Sequence, residues 1–201
     1  MEYSNQPSFD MFLHKYEGLF DKHKNTGNYI RIGWINTSLG PMIAGADERA
    51  VRFLEFYDRQ GIEGQIAMLR ANNKLPLLVG SNPLLDILEK ELNAYFAGKL
   101  KEFTLPLQFP GTAFQEKTWK ALRSIAYGTT MSYSDLAKLI GKPKASRAVG
   151  RANAGNRIAI IIPCHRVVSA DGSLNGYAGG IDRKKALLEL ERSFIDKNNK
   201  L

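Results

Sequence analysis

Apolar and polar positions alternate from Tyr29 to Ile35, with Ile30, Ile32 and Trp34 on one face, which is the pattern of a half-buried strand. Thr37-Ser38-Leu39-Gly40 supplies a turn, Pro41 to Ala46 a second strand, and the β-branched and aromatic run Val51 to Tyr57 a third. The spacing predicts a small antiparallel sheet. Ahead of it, Phe9, Phe12, Leu13, Tyr16 and Phe20 suggest an amphipathic helix broken at Gly18. After it comes a longer helix. Asn82 caps it, Pro83 suits its first turn and Gly98 its end, while Leu84, Leu88, Leu92 and Tyr95, flanked by Leu85 and Phe96, make one apolar face. Residues 99–111 are charged, then proline- and glycine-containing, and read as a linker. They divide the chain into an N-terminal α/β domain, 1–105, and a second domain, 106–201.

The second domain is denser in helix signals. Thr112-Ala113-Phe114-Gln115 is a capping box that opens a helix through about Ser124. Ser132-Tyr133-Ser134-Asp135 opens a short helix through Ile140, and Gly141-Lys142-Pro143 breaks it. A third helix runs from Lys144 or Ala145 to Ala154 and is closed by Gly155. Two short helices joined in this way resemble a helix-turn-helix. Next, the apolar run Ile158–Ile162 leads into Pro163-Cys164-His165-Arg166, which predicts a buried strand delivering a cysteine. Asp171 to Gly180 is a glycine-rich loop without a lysine at phosphate-loop spacing. The last predicted helix runs from Asp182 to about Arg192, and the polar residues 195–201 read as a frayed end.

Composition narrows the possibilities. The 201 residues include one cysteine and three histidines, which excludes an internal disulfide and a cysteine-rich zinc site. No apolar run reaches membrane-spanning length, and Met1 to Asp10 lack a basic-then-apolar signal pattern. A soluble, intracellular protein is expected. Residues 1–105 carry 12 Lys/Arg against 13 Asp/Glu, whereas residues 106–201 carry 16 against 7. The whole basic excess therefore lies with the cysteine. Between 134 and 157, Lys138, Lys142, Lys144, Arg147, Arg151 and Arg157 face only Asp135, and the last of the three helices also carries the small residues Ala145, Ala148, Gly150 and Ala152. This favours DNA as a polyanionic partner over a merely solvated basic face.

Cys164 admits two readings on its own. A lone cysteine is often a small buried hydrophobe. Beside a histidine and an arginine it is also a candidate thiolate nucleophile. Adjacent Cys-His is not a thiol-protease pattern, since those partners come from distant segments. A DNA-binding regulator with an inert cysteine would explain the basic helices but not Pro-Cys-His-Arg, and a thiol hydrolase would leave the basic half unexplained.

Pro163-Cys164-His165-Arg166-Val167, preceded by Gly155-Asn156 and followed by Gly176-Tyr177-Ala178-Gly179-Gly180, resembles the O6-alkylguanine-DNA alkyltransferases, also called methylated-DNA–protein-cysteine methyltransferases. The resemblance extends back through Tyr133 and Lys144-Ala145-Ser146-Arg147-Ala148-Val149-Gly150 to Thr112, and forward to Glu191. It implies an α+β fold, with a small ribonuclease-H-like sheet domain followed by a helical domain that holds a helix-turn-helix. It also implies DNA repair by a monomer in the cytoplasm, or in the nucleus of a eukaryote, with no metal and no cofactor. The partner would be duplex DNA carrying O6-alkylguanine. Cys164 would take the alkyl group irreversibly, His165 would act as base through a water, Glu191 would orient it, and Asn156 would hold the turn. Tyr133, Val167, Tyr177, Ala178 and Gly179 would line the base pocket. Lys144, Ser146, Arg147, Gly150 and Arg151 would meet DNA, with Arg147 filling the gap left by a flipped base.

Overall fold

The computed structural model describes residues 8–22 and 27–198. The reading of the first ten residues as lacking a signal falls mostly on residues 1–7, outside the described ones. The chain divides into two compact units, one of residues 1–96 and 104–110, the other of residues 97–103 and 111–201. Between 96 and 111 the backbone passes from one to the other three times.

The first unit is built on a sheet of β1 (Ile30–Ile35), β2 (Met42–Ala46), β3 (Val51–Phe56) and β4 (Leu77–Val79) in the order β3-β2-β1-β4. The three strands read from alternation are present and antiparallel, with Arg31 opposite Ala46 and Met42 opposite Phe56. The expectation of a wholly antiparallel sheet is corrected by β4, which pairs parallel to β1 with Leu77 opposite Ile30. Helix α2 (Ile62–Asn73) makes this possible by carrying the chain from the β3 edge to the β4 edge. The amphipathic hint near the N-terminus becomes α1 (Phe9–Lys15), capped by Ser8. Phe12 of α1, Ile62, Ile66 and Leu69 of α2, and Ile30, Ile32, Ile43, Phe53 and Leu77 of the sheet form one core cluster. Trp34, which the alternation placed with Ile30 and Ile32, packs partly buried against the same cluster and stacks on Phe9 with ring centres 5.6 Å apart.

Helix α3 (Pro83–Phe96) begins where expected, with the Asn82 side chain accepting from Leu84 N at 2.8 Å. It buries Leu85, Leu88, Leu92 and Tyr95, so Leu85 rather than Leu84 turns inward. At Gly33 in β1 an added Cβ would stand 3.0 Å from Leu85 Cδ1, so the helix packs against bare backbone there.

The second unit holds α4 (Ala113–Leu122), β5 (Met131–Ser132), α5 (Tyr133–Leu139), α6 (Ser146–Ala154), β6 (Val167–Val168) and α7 (Ile181–Asn198). The capping box at Thr112 and Gln115 is formed in both directions, and Ser132 caps α5 by accepting from Asp135 N at 3.0 Å. Trp119 of α4 donates to Ala152 O at 2.8 Å, which fastens α4 to the last turn of α6. Short parallel pairing of β5 with β6 sets Met131 opposite Val167 and ties the start of α5 to the segment after the cysteine. Helix α7 runs past Arg192 to Asn198, so residues 195–198 are helical rather than frayed. Residues 199–201 lie outside the described ones.

The largest correction concerns residues 158–162. Despite their β-branched composition they form no strand: Ile158 makes a single bridge and residues 159–162 turn and bend. Ile162 N bonds Ile158 O at 3.1 Å, Ile161 N bonds Ala159 O at 2.8 Å, and Ile160 takes a φ of +70°. The run is apolar because it is buried, and its backbone polar groups are satisfied locally instead of by a ladder.

Candidate active site

Cys164 begins a single 3₁₀ turn, Cys164–Arg166, between the buried turns and β6. Its N–H reaches back to Ile162 O at 2.7 Å across Pro163, whose ring fixes φ near −79°. One side chain holds this approach. Asn156 Oδ1 accepts from Ile158 N at 3.0 Å, and its Nδ2 is directed to Ile162 O at 2.9 Å, Ile158 O at 3.3 Å and Cys164 Sγ at 3.1 Å. Asn153 of α6 adds a bond to Cys164 O at 3.3 Å. Cys164 is buried, 6% exposed as a whole residue.

His165 and Glu191 are both fully buried, with Nε2 and Oε1 2.9 Å apart. Glu191 also accepts from Arg166 Nε at 3.0 Å and Nη2 at 2.9 Å, and from Gly128 N at 2.9 Å. Arg166 is anchored in turn by Ile125 O, which accepts from Nη1 at 2.6 Å. Burial alone would raise the Glu191 carboxyl. The hydrogen bonds and charge of His165, then of Arg166, outweigh it and hold Glu191 down at about 2. Burial lowers the His165 pKa, against the pull of Glu191. The imidazole is therefore neutral at pH 7, and Arg166 is the lasting counter-charge of the carboxylate. An ionised carboxylate can only accept, so Nε2 carries the hydrogen and Nδ1 keeps its lone pair. That Nδ1 is buried and has no protein partner. A thiol and an oriented neutral imidazole with an available lone pair are groups that can serve as nucleophile and base.

Around this pair the structure gathers most of the residues that the sequence marked. Val167 and Tyr177 are buried, and the Tyr177 ring stands edge-on to His165 with centres 6.4 Å apart. Gly179 is buried and Ala178 half-buried in the loop that follows. Tyr133, at the start of α5, donates from its hydroxyl to Asn175 O at 3.3 Å. Burial, then the charge of Cys164, raises its pKa and keeps it a donor. On α6, Arg147 and Arg151 are exposed one turn apart and Lys144 is exposed just ahead, while Ser146 and Gly150 are half-buried. A Cβ on Gly150 would sit 3.8 Å from the Tyr133 ring, so α6 and α5 touch through the small residue.

Two residues escaped the sequence reading. Arg166 was weighed only as a charge near the thiol, and in the fold its guanidinium is turned to Glu191. Lys184 is fully buried, with Nζ donating to Val167 O at 2.6 Å and Asn175 O at 2.7 Å. Only its position on the inward face of α7, three residues before Leu187, could have signalled it.

Residues 113–193 match the model of the 6-O-methylguanine DNA methyltransferase DNA-binding domain, and residues 30–109 that of its ribonuclease-like domain. A methylated-DNA–protein-cysteine methyltransferase of Methanosarcina acetivorans is 42% identical over 158 residues, which cover 77% of this chain and 94% of that one. The chain belongs to the 6-O-methylguanine DNA methyltransferase family. Within that family, a methylated-DNA–protein-cysteine methyltransferase of Mycobacterium tuberculosis is 61% identical over 103 residues, spanning 51% of this chain and 62% of that relative. A crystal structure of Mycobacterium tuberculosis OGT in complex with DNA superposes with a TM-score of 0.70 at 42% identity, covering 83% of this chain and 94% of the other. The α+β architecture, a ribonuclease-like sheet unit and a helical unit, is thus the family's. Among the described residues no helix is long and apolar enough to cross a membrane, and no cluster of His, Cys, Asp and Glu could hold a metal ion.

Proposed function

We propose that this protein repairs DNA by moving the alkyl group of O6-alkylguanine onto its own Cys164, once per chain. The observation that carries the reading is the buried His165, oriented by Glu191 through Nε2 and holding an unpartnered Nδ1 beside the cysteine turn. In this mechanism the Cys164 proton passes through one water to His165 Nδ1. The thiolate attacks the alkyl carbon, the C–S bond forms and the C–O bond breaks. Its electron pair returns to guanine, which takes up a proton as it leaves, with Tyr133 the donor beside it. Glu191 is charge-stabilised by Arg166 and stays ionised, so it steadies the transient imidazolium without taking the proton.

The partner in this reading is duplex DNA, bound by a monomer and with no cofactor in the balance. The target base lies inside the stack and must be turned out to reach a cysteine that is only 6% exposed. The exposed edge of α6 would enter the groove with Arg147 in the vacated space and Lys144, Ser146, Gly150 and Arg151 along the backbone. Backbone groups of Cys164, Val167 and Ala178 would read the base edge, with Tyr177 and Gly179 as walls. O4-alkylthymine would enter the same pocket. Intact mass after incubation with duplex DNA carrying O6-methylguanine tests the reading. One added methyl per chain on Cys164, with no further turnover at excess DNA, is expected. Repeated turnover, or a methyl elsewhere, would overturn it.

A further inference from the structure

Two hydrogen bonds end on the Cys164 carbonyl. Val167 N–H donates to it across the 3₁₀ turn, and Asn153 Nδ2 of α6 donates to it at 3.3 Å. A carbonyl oxygen has two lone pairs, and both are taken here. Of the backbone groups proposed to read the base edge, Cys164 O therefore has no lone pair left to offer. The Asn153 amide has. Asn153 is 2% exposed, and its Oδ1 is buried with no hydrogen-bond partner among the described residues. The amide cannot be turned over, because only its Nδ2 end can donate to a carbonyl.

His165 Nδ1 is the other unpartnered acceptor beside the cysteine turn, and the proton relay accounts for it. Nothing in the relay uses Asn153 Oδ1, and a buried acceptor left unmet calls for a partner. Its place on α6 points to one. Gly150 lies one turn earlier on the same face, and a Cβ there would sit 3.8 Å from the Tyr133 ring. The face that carries Gly150 and Asn153 thus runs from Tyr133 to the cysteine turn, the two groups that the proposed mechanism sets at the departing base. O6-alkylguanine has few hydrogens to donate. Alkylation leaves its N1 bare and N9 carries the sugar, so its only N–H groups are those of the exocyclic 2-amine.

We propose that Asn153 is a specificity-determining residue, whose Oδ1 accepts from the 2-amino group of the flipped guanine while its Nδ2 holds the Cys164 carbonyl. O4-alkylthymine has no N–H on its edge, and O6-alkylhypoxanthine has hydrogen in place of the amine. Either would leave Oδ1 buried and unmet. A site built around a substrate N–H rejects analogues that lack it. The inference deepens the reading that O6-alkylguanine is the substrate, and rests on it.

The test compares duplexes that carry O6-methylguanine or O6-methylhypoxanthine at one position, with the parent and with Asn153→Leu. Single-turnover transfer gives a guanine-to-hypoxanthine rate ratio for each protein. The ease of flipping each base enters both ratios and cancels between them. The ratio should be roughly tenfold or more lower in Asn153→Leu, the scale of one buried hydrogen bond. Loss of the Nδ2 bond to Cys164 O slows both substrates alike, so a merely structural Asn153 would leave the ratio unmoved and overturn the proposal. Asn153→Asp keeps an acceptor and loses the donor, and should be slow on both duplexes yet retain the parent preference. Thermal melting shows whether each variant folds, and should Asn153→Leu not fold, Asn153→Ala reads the same ratio. Affinity of Cys164→Ser for the two duplexes, with and without Asn153→Leu, reads recognition without transfer. A parent that transfers nothing, with an affinity ratio that still falls on Asn153→Leu, would refute the transfer and keep the inference. An affinity ratio that does not move would overturn the inference as well.

Discussion

His165 Nε2 lies 2.9 Å from Glu191 Oε1, with both side chains fully buried, and this contact fixes which imidazole nitrogen keeps its lone pair. Replacing the carboxylate by an amide of the same shape keeps the packing but removes both the orientation and the charge. Glu191→Gln should slow methyl transfer by roughly 10²-fold or more, the scale of a misoriented general base. Single-turnover transfer rates check this. A parental rate would show that Glu191 only builds the fold.

Cys164→Ser should abolish transfer and retain binding to alkylated duplex, since a hydroxyl is a far weaker nucleophile at neutral pH. Gel-shift affinity measured alongside intact mass separates the two effects. The basic surface of the second unit predicts that this binding weakens steeply with salt.

Arg147 is exposed on α6, whereas Cys164, His165 and Glu191 are buried. Arg147→Ala should therefore hurt repair of paired duplex more than reaction with a free alkylated base, which needs no flipping. Equal losses on both substrates would refute its role in the stack.

Stability should fall toward both ends of the pH scale, for different reasons in the two units. Glu191 titrates lower in the fold than in the unfolded chain, so its contribution is present above the unfolded value and is lost as pH falls toward about 2. His165 is also depressed, so its protonation in the unfolded chain adds to the acid loss below about 6.5. In the first unit Glu55 behaves oppositely. Burial pushes it up to about 8, against the Arg59 guanidinium 3.5 Å away, so its contribution is present at low pH and disappears as pH rises through 8. Urea midpoints against pH should show Glu55→Gln removing a decline in stability that runs from the ordinary carboxyl value up to about 8.

The side chains following Tyr177 are a methyl at Ala178 and a hydrogen at Gly179, which would narrow the proposed base pocket little on that side. Alkyl groups larger than methyl should be accepted, and free O6-benzylguanine should inactivate the protein. Gly179→Trp should confer resistance, because overpacking costs about 1–3 kcal/mol, or roughly tenfold or more in rate. Residual methyl transfer after preincubation with the benzyl compound is the measurement. A parent that stays active would mean that another group closes the pocket.

Elements whose burial is one-sided were legible in the sequence. Alternation marked β1, the capping box marked α4, and Asn82-Pro83 marked the start of α3 within a residue or two. Helix α2 was missed because Gly61, Gly64 and a run of asparagines mask its Ile62, Ile66 and Leu69 stripe, and β4 is too short to alternate. Residues 158–162 misled for a different reason. Burial on every side erases periodicity, and composition alone cannot distinguish a strand from a knot of turns closed by the side chain of the neighbouring Asn156. At the site, the Pro-Cys-His-Arg motif marked the residues that the fold brings together around Cys164. Pairings were not, since the partnership of Arg166 with Glu191 joins positions 25 residues apart.

That one carboxylate gathers Gly128, His165 and Arg166 has a consequence for how the protein comes into being. The cysteine leaves the ribosome well before residue 191, and until Glu191 has followed, nothing fixes the imidazole or offsets the Arg166 charge. A chain interrupted between the two would carry the thiol without its oriented base. The oriented imidazole forms only once α7 has been made, after the helices that hold the cysteine in place.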